Sequence, residues 1–78
     1  MRLSDLPLHT PTDVLRVHPL DAHDAIARRL GELGFVPGEQ VEVCATGPIG
    51  REPLMVQVGY TRFALRRSEA ARIEVAAK

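Results

Sequence analysis

Seventy-eight residues make one domain at most, and a chain this short buries only about 60–65% of its unfolded surface, which leaves a thin core and little room for a deep catalytic cleft. The composition, 45% hydrophobic and 26% charged, is that of a folded globular chain and excludes wholesale disorder. Ten basic and ten acidic residues cancel, which argues against nucleic-acid or anionic-membrane binding driven by overall charge, and the single cysteine excludes an internal disulfide and fits a reducing compartment.

Glycines and prolines a few residues apart divide the chain into short elements. The opening Leu3–Leu6 segment is expected to pair with the last strand at a barrel seam. Val14-Leu15-Arg16-Val17 reads as a first short strand. A helix follows: Asp21 is its expected cap, with Asp24 three residues on in the manner of a capping box, and Ile26, Leu30 and Leu33 form one apolar stripe. Gly34 stops it. With Gly34 just past the end, Phe35 and Leu30 are the pair that touch in a Schellman ending, and Pro37-Gly38 turns the chain away.

Next comes a meander. In Val41-Glu42-Val43-Cys44-Ala45, alternation puts Val41, Val43 and Ala45 on one face; Leu54, Val56 and Val58 share a face in the same way. Residues 47–53 are expected to connect these strands by a loop longer than a two-residue turn. After a tight turn at Gly59, Phe63-Ala64-Leu65 forms a further strand. A short helical turn is expected from Ser68, and Ile73-Glu74-Val75 closes the chain. A small antiparallel sheet must hide its edges, so the predicted fold is mainly β, a small, partly closed barrel with one inserted helix and a short helical turn near the C-terminus, as a single domain over residues 1–78.

Searching the same residues for chemistry yields little. There is no Gly-x-x-x-x-Gly-Lys-Ser/Thr phosphate loop. Cys44 lies in an alternating strand with no base beside it in sequence, so it reads as a sheet residue and not a nucleophile. His9, His18, His23, Asp21, Asp24 and Glu42 are candidate ligands for a divalent metal, but Pro19 interrupts the His18–His23 spacing and no metal site is assigned. Tyr60, Arg62, Phe63, Arg66 and Arg67 interleave aromatic and basic groups as a nucleic-acid stacking surface would, yet three aromatics in total and zero net charge speak against that use. Residues 1–50 carry a net −3 and residues 51–78 a net +3, which marks either a basic partner-facing side or two halves that meet in the fold.

Several phrases resemble the ferrous-iron transport protein A family, FeoA: Leu3-Ser4-Asp5-Leu6-Pro7; Arg29-Leu30 through Leu33-Gly34-Phe35-Val36-Pro37-Gly38; Pro48-Ile49-Gly50 before Pro53-Leu54; and Gly59 with Ala64-Leu65-Arg66 and Glu69-Ala70. The resemblance runs from about Leu3 to Val75. It implies an SH3-like barrel and a cytosolic accessory protein, not an enzyme and without a cofactor, that binds the cytosolic part of the FeoB transporter and modulates transport or its GTPase cycle. The alternative in the same system is an iron-responsive module that binds metal or a transcription regulator. His9-Thr10-Pro11 stands where many members carry a glycine-containing turn.

Within that resemblance, Leu30, Gly34, Phe35, Pro37, Gly38, Gly59, Ala64, Leu65 and Glu69 are read as structural residues. The expected partner surface comprises Ile49, at a hairpin tip where the core needs no apolar residue, with Met55, Tyr60, Arg62 and Arg66. No apolar run is long enough for a signal peptide or a membrane span, so the expected location is the cytoplasm.

Overall fold

Five antiparallel strands form one sheet in the order β4-β3-β2-β1-β5. They are β1 (Thr12–Val17), β2 (Gln40–Ile49), β3 (Glu52–Val58), β4 (Thr61–Leu65) and β5 (Ile73–Val75); the helices are α1 (Ala25–Leu33) and α2 (Arg67–Ala70). These come from a computed structural model that describes residues 1–77. The mainly β, SH3-like expectation holds, with one refinement: the sheet is not closed into a barrel, because β4 and β5 are its two edges. A 3-10 turn over Leu3–Asp5 packs against α2 and β5, and α2 packs against β3, so these short elements cover what strand pairing leaves open.

The alternation of β3 works as the sequence predicts. Leu54, Val56 and Val58 are buried, opposite Leu65 and Phe63 on β4 and Val43 and Val41 on β2. Phe35 and Leu30 join them from the α1 end, and Leu3, Leu6, Val14, Ile73 and Val75 from the other edge. On β2 the alternation fails at Ala45, which is exposed, not buried. Val43 pairs with Val56 but Ala45 pairs with Met55, so Cys44 is an extra residue in a β-bulge that turns Ala45 to the outer face. Cys44 is half-buried.

Other expectations also shift. Residues Leu3–Asp5 are not a strand; the pairing with β5 is made earlier, by an Arg2–Glu74 bridge and by the Val75 N–H, which donates to the Met1 carbonyl at 2.7 Å. Residues 47–53 do not form a long loop. Strand pairing continues to Ile49 and Glu52, and only Gly50 and Arg51 turn the chain, both with positive φ (61° and 60°), as a type I′ turn requires. Gly47 makes the narrow ladder possible: a Cβ there would lie 1.8 Å from the Glu52 carbonyl oxygen. His9 takes a left-handed conformation, with φ 59°.

Helix α1 begins three residues later than Asp21 suggests. Asp24 is the N-cap, its carboxylate accepting from the Ile26 and Ala27 N–H groups, while Asp21 closes a small turn by accepting from the His23 N–H at 2.8 Å. The buried stripe is Ala27 and Leu30 with Leu33 at its edge, and Ile26 is 40% exposed. The C-terminal end is as predicted. Gly34 has φ 116°; its N–H donates to the Gly31 carbonyl and the Phe35 N–H donates to the Leu30 carbonyl, each at 3.1 Å, which is the Schellman pair of bonds.

Two glycine substitutions separate backbone strain from collision. Gly34→Val is expected to cost about 1–2 kcal/mol, because a β-branched residue resists the left-handed region although the nearest atom to its Cβ is 3.9 Å away. Gly47→Ala is expected to cost more, since backbone must move to admit the methyl group. Urea denaturation of both variants checks the order; an unchanged midpoint for Gly34→Val would contradict the cap.

Candidate functional site

Side chains opposite Leu54, Val56 and Val58 form the outer face of the β2-β3-β4 sheet. Cross-strand pairing sets Met55 between Ala45 and Ala64, and Gln57 between Glu42 and Arg62. Because both neighbours of Met55 are alanines, its side chain is only half-covered. Arg62 donates from Nε to the Gln57 side-chain oxygen at 3.3 Å, and Gln57 in turn donates to the Gly59 carbonyl. This row is polar, neutralised in part by Glu42, and lies next to the shallow Met55 patch.

The remaining predicted partner residues lie at the two ends of this face. Ile49 is at the β2–β3 tip, 83% exposed, and Tyr60 is at the β3–β4 turn, fully exposed. The length of β3, roughly 20 Å at about 3.3 Å per residue, lies between them. Arg66 belongs to the Ile49 end, because Leu65 pairs with Leu54 and the neighbouring Arg67 N–H donates to the Glu52 carboxylate at 2.6 Å. Met55 and Arg62 therefore share the outer face, Ile49 and Tyr60 lie at its two ends with Arg66 near the Ile49 end, and the five do not form a single cluster. Arg66 makes no ion pair with Glu69; the Glu69 carboxylate instead accepts the Arg66 backbone N–H at 2.7 Å and so caps α2.

The residues read as structural fall into three roles. Leu30, Phe35 and Leu65 are buried core. Gly34, Gly38 and Gly59 occupy turns, Gly38 donating its N–H to the Val14 carbonyl at 2.8 Å, with Pro37 exposed beside it. Ala64 is exposed and belongs to the outer face, where its small size leaves Met55 accessible.

The sequence did not reveal the charged groups that frame the fold. Arg72 donates from Nε to Asp24 Oδ2 at 2.8 Å, with both side chains more than nine-tenths buried, and from Nη1 to the Ser68 carbonyl. The same Asp24 carboxylate accepts from the Leu20, Ile26 and Ala27 N–H groups. The Arg72 hydrogen bond, helped by the Leu20 and Ala27 N–H groups, holds the Asp24 pKa down at about 2. Glu74 is also held low, chiefly by His18, whose Nε2 lies 2.6 Å from its Oε1; Arg16 lies at 3.6 Å from the same oxygen. A basic residue directly before the apolar Ile73 was the only signal for Arg72, and nothing in local periodicity points to a partner 48 residues away.

These pairs bear on metal binding. Imidazole and carboxylate suit ferrous iron, and His18–Glu74 and His9–Glu42 each bring two such groups near one another, the latter at 3.6 Å. Among the described residues no group of three candidate ligands comes together, and Arg16 competes for the Glu74 oxygen. The residues do not fit a bound metal. Among the described residues, no helix is long and apolar enough to cross a membrane.

Comparison with known proteins gives a consistent result. The FeoA domain model matches residues 1–77. A Stenotrophomonas maltophilia FeoA structure, solved with zinc and described as a prokaryotic SH3 domain protein suggested to activate ferrous-iron transport, is 64% identical with a TM-score of 0.90; the match covers 97% of this chain and 89% of that one. Iron(II) transport protein A of Clostridium thermocellum is 32% identical with a TM-score of 0.83, over 96% of this chain and 44% of the other. A Porphyromonas gingivalis protein described as a fusion of Fe(2+) transport protein A with the Fe(2+) transporter FeoB is 33% identical over 75 residues, or 96% of this chain. The chain spans only 8% of the length of that relative.

The ion pair predicts an acid limit to stability. The folded Asp24 pKa of about 2 lies below its ordinary 3.8. Above that ordinary value the carboxylate is ionised in both states and its stabilisation is fully present. As pH falls toward 2 the unfolded chain takes up a proton that the folded chain refuses, so stability drops, and below about 2 the contribution is gone. The depressed Glu74 adds in the same direction. Urea midpoints between pH 5 and 2 should fall steeply for the wild type and less steeply for Asp24→Asn, which starts from a lower plateau; parallel curves would count against the pair.

Proposed function

The chain belongs to the FeoA family, and from that premise we propose that it is a cytosolic accessory protein of ferrous-iron uptake, which docks on the cytosolic part of a FeoB-type transporter and modulates transport or GTPase cycling by contact. The observation that carries this reading is the P. gingivalis relative, in which a FeoA-like segment and FeoB are parts of one polypeptide. Fusion suits partners that act together, because a tether raises their effective concentration.

The outer surface supports the reading. Ile49, Met55 and Tyr60 present separated apolar groups, and Arg62 and Arg66 supply cations between and beside them. Such a pattern fits an interface with apolar anchors and a polar rim. It does not supply a nucleophile with a base, or a phosphate-binding loop, so the role assigned is that of an effector and not of an enzyme. An effector works by binding one conformation of its partner better than another. We therefore expect its affinity for the transporter domain to differ between nucleotide-free and nucleotide-bound forms.

A metal-responsive role has one observation in its favour, the zinc of the S. maltophilia structure. The two-ligand His–carboxylate pairs of this chain favour the accessory role, and an anaerobic ferrous-iron titration tests the difference: stoichiometric, saturable binding would support the metal-responsive role.

The accessory reading is tested by titrating isotope-labelled protein with the purified cytosolic domain of a cognate transporter, with and without guanine nucleotide. Localised, saturable amide shifts are expected along β2–β4. Ile49→Asp should leave the melting temperature unchanged and weaken binding about tenfold, the size of a modest anchor. Equal affinity for the two nucleotide states would remove the thermodynamic basis for modulation.

A further inference from the structure

The sheet ends in two edge strands, and only one of them is covered. At the β5 edge, Met1 and Arg2 add further pairing: the Val75 N–H donates to the Met1 carbonyl, and Arg2 bridges to Glu74. Among the described residues, no backbone group pairs with the outer side of β4. Gly59 and Tyr60 form a two-residue turn, and the residues flanking such a turn exchange both of their hydrogen bonds. Thr61, Phe63 and Leu65 therefore bond to β3, and the N–H and C=O groups of Arg62 and Ala64 point out of the sheet. The register of β4 on β3 is unbroken from Thr61 to Leu65, without the shifts that interrupt the β1–β5 and β2–β3 pairs. A regular, unpaired strand of this kind is a template for another.

Between this strand and α1 lies a cavity of about 60 Å³, lined by Ile26, Arg29, Leu33, Phe63, Leu65 and Glu69 among others. Ile26 is 40% exposed, and Leu33 and Phe63 are only partly buried, so apolar surface is left uncovered beside the open edge. The space is several times what one water needs and suits the branched end of one aliphatic side chain. The surrounding charge is uneven. Arg29 lines the cavity, Arg62 stands on β4 and Arg66 follows Leu65; none of the three makes an ion pair among the described residues. Glu69, the one carboxylate of the lining, is engaged in capping α2 through the Arg66 N–H.

We propose that β4 accepts an extended, acidic segment of a partner protein as an added strand, with an aliphatic residue of that segment seated beside Ile26, Leu33 and Phe63. Strand addition draws affinity from main-chain hydrogen bonds and selectivity from pockets that take alternate side chains. Side chains alternate across a strand, so residues on the core side of the segment meet the cavity while their neighbours lie on the Arg62 side of the sheet. Acidic residues fit because the three guanidinium groups have no carboxylate of their own, and charge-assisted bonds are the stronger kind. The same groups disfavour a second copy of this chain as the occupant. Pairing two β4 strands would gather Arg62 and Arg66 of both copies along one seam, and like charges on an edge discourage such pairing. The inference assigns a mode and a chemistry of binding at the sheet edge, holds whichever protein supplies the segment, and does not depend on the transporter reading.

The test titrates the full, isotope-labelled chain with a capped peptide of alternating glutamate and valine, while backbone amide shifts and amide hydrogen exchange are followed. Saturable shifts centred on residues 61–65 and on Ile26, Arg29 and Leu33 are expected, with exchange slowed at the Arg62 and Ala64 N–H groups. The same peptide with lysine in place of glutamate should bind at least about tenfold more weakly, because it loses the charge-assisted bonds. Arg29→Glu should weaken binding of the acidic peptide by a similar factor and Arg28→Glu should leave it unchanged: the change in charge is the same, but Arg28 lines a different cavity, with Val17 and Asp21. Ala64→Pro removes an outward N–H and should abolish binding; if that variant does not fold, methylating the peptide's own N–H groups tests the same bonds, one alternate set abolishing binding and the other sparing it. The proposal is overturned by no saturable shifts, by unslowed exchange at Arg62 and Ala64, by equal binding of the lysine peptide, or by self-association of the free chain that already protects those two N–H groups. Failure of the peptide alongside intact binding of the transporter domain removes this inference alone.

Discussion

The dry ion pair between Asp24 and Arg72 fixes more of this molecule than any other contact of two side chains. One carboxylate caps α1, accepts the Leu20 N–H of the approach to that helix, and receives the guanidinium from the corner between α2 and β5. Removing either partner leaves the other buried without its counter-charge, which is the costly way to break such a pair. The pair also explains why the helix starts where it does. Asp21 and Asp24 are both competent caps by residue type, and Asp21 spends its carboxylate on the His23 N–H, while Arg72 fixes Asp24 in the capping position.

What was legible in the sequence was local. The Schellman ending at Gly34 involves residues 30–35 and was readable in full, as was the buried face of β3. The errors arise where pairing across strands, and not the pattern within one strand, decides the structure. Ala45 faces outward because β2 gains a residue at Cys44 relative to β3, a register that alternation within β2 does not contain. The 47–53 connection is tight because Gly47 lets the Glu52 carbonyl approach closely, which no turn propensity anticipates. Of the proposed partner surface, residue type and exposure were legible, but the separation of Ile49 and Tyr60 at opposite ends of β3 needed the sheet.

Charge follows the same logic. The acidic first part of the chain and the basic second part meet in the fold at Asp24 with Arg72, whereas Arg16 with Glu74 pairs the minority charge of each part. The sequence imbalance is thus partly consumed internally. Arg62 and Arg66, on the outer face, make no ion pair among the described residues, so a partner there meets a surface whose cations remain available for steering and rim contacts.

The pairing of residues 1 and 2 with β5 bears on how the chain is assembled as it is synthesised. The β2–β3–β4 meander joins neighbours through two-residue turns and can form as soon as residue 65 is free, since short loops close quickly. β1 and the Leu3–Asp5 turn emerge before the meander, yet one edge of β1 and the residues before that turn pair with residues 73–75. Until β5 arrives, Leu3, Leu6 and Val14 lack part of their cover and β1 presents an unpaired edge. The first segment of the domain is thus the last to be secured, and its exposure before β5 emerges leaves an unpaired edge open to aggregation.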